Sequence, residues 1–250
     1  MISMKSKKEQ LARSRLYAIV NEAPPGLKTG AKSRPAFSSN GLILRLRSGW
    51  FEGMVSVVEP KAAGLWRRDK QPLGTSGIDI VQLRDKTSDK AIIIRRARLL
   101  SKFLAARKIL FIINDYIDVA KVVDCDGVHL GQSDLSLGIA RCILGKDRII
   151  GVSCHNLKQA LMAQWQGADY IGIGPVFATP TKPEYPPIGL EVIKEVARDI
   201  RIPFFAIGGI NKDNLREVLA AGAKRVALVR AIGQSLEIKE IIQDSEFKIR

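Results

Sequence analysis

Residues Ile112–Asp134 read IINDYIDVAKVVDCDGVHLGQSD. Two short apolar runs, Leu110–Ile113 and Val128–Leu130, flank Tyr116–Val123, whose apolar residues recur at helical spacing. Each run ends in polar groups: Asn114-Asp115 after the first, and His129, Gln132 and Asp134 around the second. Near-continuous apolar strands separated by an amphipathic helix belong to a parallel sheet covered on both faces.

The same alternation continues in both directions. Strands are predicted over Ile78–Leu83, Lys108–Ile113, Asp126–Leu130, Arg148–Val152, Tyr170–Ile173, Pro203–Ile207 and Arg225–Val229. Helices are predicted over Asp89–Arg107 with Ser88 as N-cap, Tyr116–Val123, Leu135–Leu144, Asn156–Gln166, Leu190–Arg198, Asn211–Ala221 and Leu236–Ile242. Gly145, Gly167 and Gly222 stand where helices commonly end. Leu16–Val20 supplies an eighth strand. Eight such strands predict a closed (β/α)8 TIM barrel, with an open doubly wound sheet as the structural alternative. The 250 residues fit one such domain. Residues 22–72 depart from the pattern, being rich in Pro, Gly, Ser and Arg. They read as an atypical insertion of low order in the first βα unit, with Leu42–Arg47 and Met54–Val58 able to pair as a hairpin.

Composition narrows the function classes. At 46% hydrophobic and 6% aromatic the core is aliphatic. No apolar run is long enough for a transmembrane helix, and the basic N-terminus MISMKSKKEQLARSR lacks a secretory h-region, so no membrane partner and a cytoplasmic location are expected. That N-terminus reads as a solvated tail. Cys125, Cys142 and Cys154 show no CxxC spacing, which fits a reducing compartment, and two histidines make zinc improbable. The net charge of +15 is concentrated at the start: residues 1–76 hold 14 Lys+Arg against 5 Asp+Glu. No aromatic–basic RNA motif accompanies it, so nucleic acid is not the expected partner. Anionic small molecules are, and a homo-oligomer is compatible with this composition.

In a TIM barrel the C-terminal strand ends share one mouth. There the sequence places Gln82, Arg84 and Lys86, then Asn114-Asp115, then His129, Gln132 and Asp134, then Ser153-Cys154-His155. The loop Val176–Lys182, Gly208-Gly209 leading into a helix, and Val229-Arg230 complete it. Amide and cations make an anion clamp. Asp115 and Asp134 suit a hard cation such as Mg²⁺, shared with water and substrate phosphate oxygens. Gly208-Gly209 at a helix N-terminus lets backbone N–H groups approach an anion. The plainer alternatives are helix N-caps for the two Asp residues, a tight turn for the glycines, a solvated Lys182, a structural His129 and a packed Cys154.

Seven stretches carry a more specific pattern: GIDIVQLRDK, LFIINDYIDVA, DGVHLGQSD, IIGVSCHN, GADYIGIGPVFATPTK, PFFAIGGI and AGAKRVALV, spanning roughly 77–233. Together they resemble the thiamine-phosphate synthase family. The resemblance implies a transferase that joins hydroxymethylpyrimidine diphosphate to thiazole phosphate, giving thiamine phosphate and diphosphate. It implies that Gln82, Arg84, Lys86 and Asn114 contact the pyrimidine diphosphate and that Asp115 and Asp134 ligate Mg²⁺. It assigns Ser153 to the diphosphate or pyrimidine, and Thr179, Thr181 and Lys182 to the meeting point of the two substrates, with Lys182 on the leaving diphosphate. Gly209 and the residues after strand eight, Val229 and Arg230, fall to the thiazole phosphate. Catalytic weight rests on Lys182, Ser153 and Arg84, in a dissociative mechanism. Arg230 departs from the family, which usually has a small Ser there; a long cation can pair with phosphate or obstruct it. The alternatives are a thiazole tautomerase-like barrel, whose members tend to lack the carboxylates corresponding to Asp115 and Asp134, and a binding protein that has lost turnover.

Overall fold

The computed structural model describes residues 4–21 and 78–247. The atypical segment 22–72 and its expected hairpin lie outside the described residues. Strands β1 (Leu16–Asn21), β2 (Ile80–Arg84), β3 (Leu110–Asn114), β4 (Gly127–Leu130), β5 (Ile149–Cys154), β6 (Tyr170–Ile173), β7 (Phe204–Ile207) and β8 (Val226–Leu228) close into a barrel in sequence order. Every neighbouring pair is parallel, including β1 with β8, and the open sheet is thereby excluded.

Helices α2 (Lys90–Ala105), α3 (Ile117–Val123), α4 (Leu137–Leu144), α5 (Leu157–Trp165), α6 (Gly189–Asp199), α7 (Leu215–Ala220) and α8 (Ser235–Phe247) surround it. Among the described residues no helix is long and apolar enough to cross a membrane. Alternate strand residues face outward and pack with the helices: Val81, Phe111, Val128, Ile150 and Ile171 join Ile93, Ala97, Ala140, Ala160 and Ile193 in one core. The others face inward, where Ile80, Leu110 and Ile149 join Tyr17, Tyr170 and Phe205 in a second, smaller core.

Several boundaries differ from expectation, among them the end of α8, which runs to Phe247 where Ile242 was expected. The N-terminal segment forms helix α1 (Met4–Arg13) instead of a tail. Its Leu11 is 2% exposed in the inner core, and Lys7 and Lys8 pair with Asp126 and Asp169 at 2.7 Å each. A basic helix is therefore docked by one apolar side chain and two carboxylates. Asp89, not Ser88, occupies the N-cap of α2, with no side-chain cap bond. Helix α7 begins at Leu215, four residues beyond the expected Asn211, because Asn211 and Asn214 spend their amides on the preceding turn.

A repeated device fastens the N-terminal strand ends. Asp79 accepts the Leu16 N–H at 3.0 Å, Asp126 that of Phe111 at 2.8 Å, and Asp169 that of Ile150 at 2.8 Å. Each carboxylate precedes an even-numbered strand and binds the odd-numbered strand before it. Charge-assisted bonds of this kind are stronger than neutral ones.

Candidate active site

At the opposite, C-terminal end the inward side chains turn polar and surround a cavity of about 290 Å³. Gln82, Arg84, Asn114 and Ser153 reach it from strand ends. Thr179, Thr181 and Lys182 reach it from the loop after β6, and Gly209, Val229 and Arg230 from β7 and β8. Lys86, Asp115 and Asp134 stand beside it: the Lys86 ammonium is 3.1 Å from the Asp115 carboxylate, and the Asp115 and Asp134 carboxyls lie within hydrogen-bonding reach of one another. The residues predicted from strand ends are thus brought together.

Local structure explains several positions. Asp85 faces away from the cavity and is 3% exposed. It accepts the N–H groups of Thr87 and Ser88 at 3.3 and 3.0 Å and pairs with Arg96 at 2.5 Å, which anchors the turn carrying Lys86. Asp115 has φ +61°, a left-handed conformation uncommon outside Gly, Asn and Asp, and its N–H donates to the His129 carbonyl at 2.9 Å. Neither Asp is a helix cap. The N-caps of α3 and α4 are Tyr116 and Ser136, and Asp134 instead accepts the Gly131 N–H at 2.6 Å.

Gly208 and Gly209 have φ +100° and +68°. A Cβ would come within 2.4 Å of Pro175 Cα at the first and 2.7 Å of Phe177 Cβ at the second. No other residue type fits this turn without displacing its neighbours. Because α7 starts at Leu215, the glycines do not lead directly into a helix N-terminus as expected. Asn214 braces them instead, donating to the Gly209 carbonyl at 2.9 Å. Arg230 lies exposed at the cavity edge, next to the 3₁₀ turn Ala231–Gln234.

The charges at the mouth are mutually destabilised. Burial raises the Asp115 carboxyl above its ordinary range, the hydrogen bond to Asp134 adds to this, and Lys86 opposes it. Burial lowers the Lys182 ammonium, and the nearby Arg84 and Lys86 cations lower it further. Facing cations such as these favour the arrival of a polyanion. Two adjoining carboxylates similarly favour a divalent cation with oxygen ligands. Among the described residues no group of three or more His, Cys, Asp or Glu gathers, so a metal here would take two carboxylates and find its other ligands in water and substrate.

Several functional neighbours escaped the sequence reading. Tyr17, Asn21 and Tyr170 line the cavity. Asn21 accepts from Arg84 at 3.4 Å, which holds the guanidinium beside the opening. His155 stacks on Tyr185 with ring centroids 4.3 Å apart, and the Lys182 ammonium lies 5.4 Å from the Tyr185 ring centroid. His129, read as structural, is buried against two hydroxyls, and burial pulls its pKa down to about 3. Its place on an apolar strand was legible; its partners, on strands 24 and 41 residues away in sequence, were not.

A family model described as thiamine monophosphate synthase matches residues 70–232. The thiamine-phosphate synthase of Shouchella clausii (strain KSM-K16) is 49% identical over 168 residues, covering 67% of this chain and 80% of that protein. The thiamine-phosphate synthase of Halalkalibacterium halodurans is 48% identical over 164 residues, covering 65% and 78%. Among solved structures, a thiamine phosphate pyrophosphorylase from Pyrococcus furiosus superposes with a TM-score of 0.67 at 26% identity, covering 94% of this chain and 98% of that one. Barrel, polar mouth and family match agree: this chain belongs to the thiamine monophosphate synthase family of transferases.

Proposed function

We propose that the chain makes thiamine phosphate by joining hydroxymethylpyrimidine diphosphate to thiazole phosphate, releasing diphosphate. The observation that carries this reading is the convergence of Arg84 and Lys182 on one cavity with Lys86 beside it, where burial and the two neighbouring cations raise the cost of the charged Lys182 ammonium. A diphosphate removes that cost. Arg84 and Lys182 hold the leaving group, and Lys86 balances charge between it and Asp115. Gln82, Asn114 and Ser153 at the cavity floor hold the pyrimidine ring. Thr179 and Thr181 shape the loop where the two substrates meet, with the Thr181 N–H on the Thr179 hydroxyl at 3.3 Å. The open glycine turn at Gly209, with Val229 and Arg230 beside it, receives the thiazole phosphate.

Bond breaking precedes bond making in this reading. The carbon–oxygen bond to diphosphate breaks, the electron pair leaves with the diphosphate, and the thiazole nitrogen captures the pyrimidine-methyl cation. The chain supplies positioning and electrostatic stabilisation of the leaving charge, with no side-chain nucleophile. Asp115 and Asp134 would hold Mg²⁺, which when bound supplies charge neutralisation to the diphosphate.

The domain plan that goes with this reading is one barrel with residues 22–72 inserted in its first βα unit. The location is cytoplasmic, a reading supported by three free thiols, two of them buried. A homo-oligomer is compatible with this reading and is checked by sedimentation.

The test is to supply both substrates and Mg²⁺ and measure thiamine phosphate with and without EDTA. Metal-dependent product is expected. A folded protein that binds inorganic diphosphate yet makes no product would leave a phosphate-binding barrel in place of the synthase.

A further inference from the structure

At the floor of the cavity, six side chains from six different strands form one uninterrupted hydrogen-bonded line. Asn114 Oδ1 accepts from Gln82 Nε2. Gln82 Oε1 accepts from the Tyr17 hydroxyl at 2.9 Å, and the Tyr17 and Tyr170 hydroxyls lie 2.8 Å apart. The Tyr170 hydroxyl is 2.9 Å from His129 Nδ1, and His129 Nε2 is 2.9 Å from Ser153 Oγ. The four middle members are between 0% and 8% exposed. All six line the cavity floor, and Asn114 and Ser153 are the two ends of the line.

The packing is built around this line. A Cβ on Gly151 would stand 2.1 Å from Tyr170 Cζ and 2.5 Å from its hydroxyl oxygen, and a Cβ on Gly172 would stand 3.4 Å from His129 Cε1. Glycines on β5 and β6 therefore clear the space that the phenol and imidazole fill.

Each hydroxyl has one proton, so fixing one end fixes the direction throughout. The Gln82 carbonyl takes the Tyr17 proton. Tyr17 oxygen must then accept from Tyr170, and Tyr170 oxygen from an N–H on His129 Nδ1. Both imidazole nitrogens face neutral hydroxyls in a buried position, which disfavours a charged ring. The uncharged ring with its proton on Nδ1 offers a lone pair at Nε2, and the Ser153 hydroxyl donates to it. Two consequences reach the cavity. Ser153 Oγ has spent its proton and presents lone pairs. Asn114 has spent its carbonyl and presents N–H donors.

We propose that Tyr17, Tyr170 and His129 are positioning residues that polarise the cavity floor, with a donor at Asn114 and an acceptor at Ser153, and that this pair selects a heteroaromatic ring carrying an exocyclic amine on one edge and an unprotonated ring nitrogen on another. The choice of ring rests on the pyrimidine reading above; the direction of the line does not. An oxo group in place of the amine would set a lone pair against the Ser153 lone pairs, which the floor rejects.

Two measurements separate these parts. The chain has only His129 and His155, so ¹⁵N-histidine labelling gives two ring systems, assigned by His129→Gln. The wild type is expected to carry the His129 proton on Nδ1. Tyr17→Phe keeps the ring packing but deprives Tyr170 of its acceptor. Tyr170 then donates to Nδ1, and the His129 proton moves to Nε2. Ser153 turns its own proton to the cavity, and the preference for the amino over the oxo pyrimidine diphosphate falls by about tenfold. Affinity for inorganic diphosphate is unchanged.

A wild-type spectrum with the proton on Nε2, or an unaltered tautomer in folded Tyr17→Phe, overturns the proposal. If Tyr17→Phe does not fold, the wild-type tautomer alone decides it. The expected tautomers together with a wild type that prefers neither ring would overturn the ring selection and the pyrimidine reading, while the direction of the line stands.

Discussion

The two ends of the barrel use the same residue types to opposite effect. At the N-terminal end Asp169 meets the Ile150 N–H at 2.8 Å, Arg141 at 2.6 Å and Lys8 at 2.7 Å, so its charge is fully compensated. At the C-terminal end Asp115 shares its surroundings with Asp134, and Lys182 shares its own with Arg84 and Lys86. Like charges are adjacent there and opposite charges only partly offset them. Compensated charge fastens strands; uncompensated charge waits for a ligand. The difference teaches how to tell a structural carboxylate from a binding one without reference to its neighbours in sequence.

That contrast is breakable. Lys182→Ala should give the largest effect, about a thousandfold loss in kcat, since one electrostatic contact to a leaving charge contributes on that scale. Its melting temperature should not fall, because the ammonium is held against burial and two cations. A thousandfold loss accompanied by unfolding would erase the distinction between the two ends.

The converse experiments lie at the N-terminal end. Leu11→Ala removes a side chain 2% exposed in the inner core and should cost about 3 kcal/mol of stability, read by denaturant unfolding. The folded fraction should retain wild-type kcat. Asp169→Ala leaves a strand N–H and two cations without their partner and should cost about 2 kcal/mol by the same measurement. Loss of kcat in either folded variant would show that the two ends are coupled.

Acid titration sharpens the comparison further. His129 is held near 3 in the fold against 6.5 for the unperturbed group. Below 6.5 the unfolded chain takes up a proton that the folded chain refuses, so stability falls as the pH drops towards 3, by about 1.4 kcal/mol per unit. Unfolding curves measured between 6.5 and about 5, above the ordinary carboxylate range, should show this slope in the wild type and a shallower one in His129→Gln. Equal slopes would remove His129 from the buried line. Arg230→Ser should give the smallest change, about a threefold rise in KM for thiazole phosphate that shrinks at high salt, because an exposed cation attracts phosphate through screened solvent.

Much of the site was legible because a parallel barrel converts order along the chain into position around a mouth. Gln82, Arg84, Asn114, Ser153 and Lys182 each follow an apolar run, and closure of the barrel brings their ends together. The Asp residues that fasten the N-terminal strand ends were equally visible as letters, yet nothing local separates Asp126 from Asp134. Their roles depend on which strand end lies alongside. Helix α1 was missed because its first turns are strongly basic and, among its described side chains, Leu11 alone is a buried apolar one.

By itself the sequence determined the eight strands, the seven helices after residue 77, the faces of each strand and the polar character of their C-terminal ends, because these follow from periods of two and of about three and a half residues along a single segment. Only the tertiary structure decided that Tyr17 touches Tyr170 across 153 residues, that Asp115 adjoins Asp134, and that Lys182 faces Arg84 and Lys86. Those contacts cross the barrel or link neighbouring strand ends, and the register that creates them is set by how all eight strands stagger on closure, a property no single segment encodes.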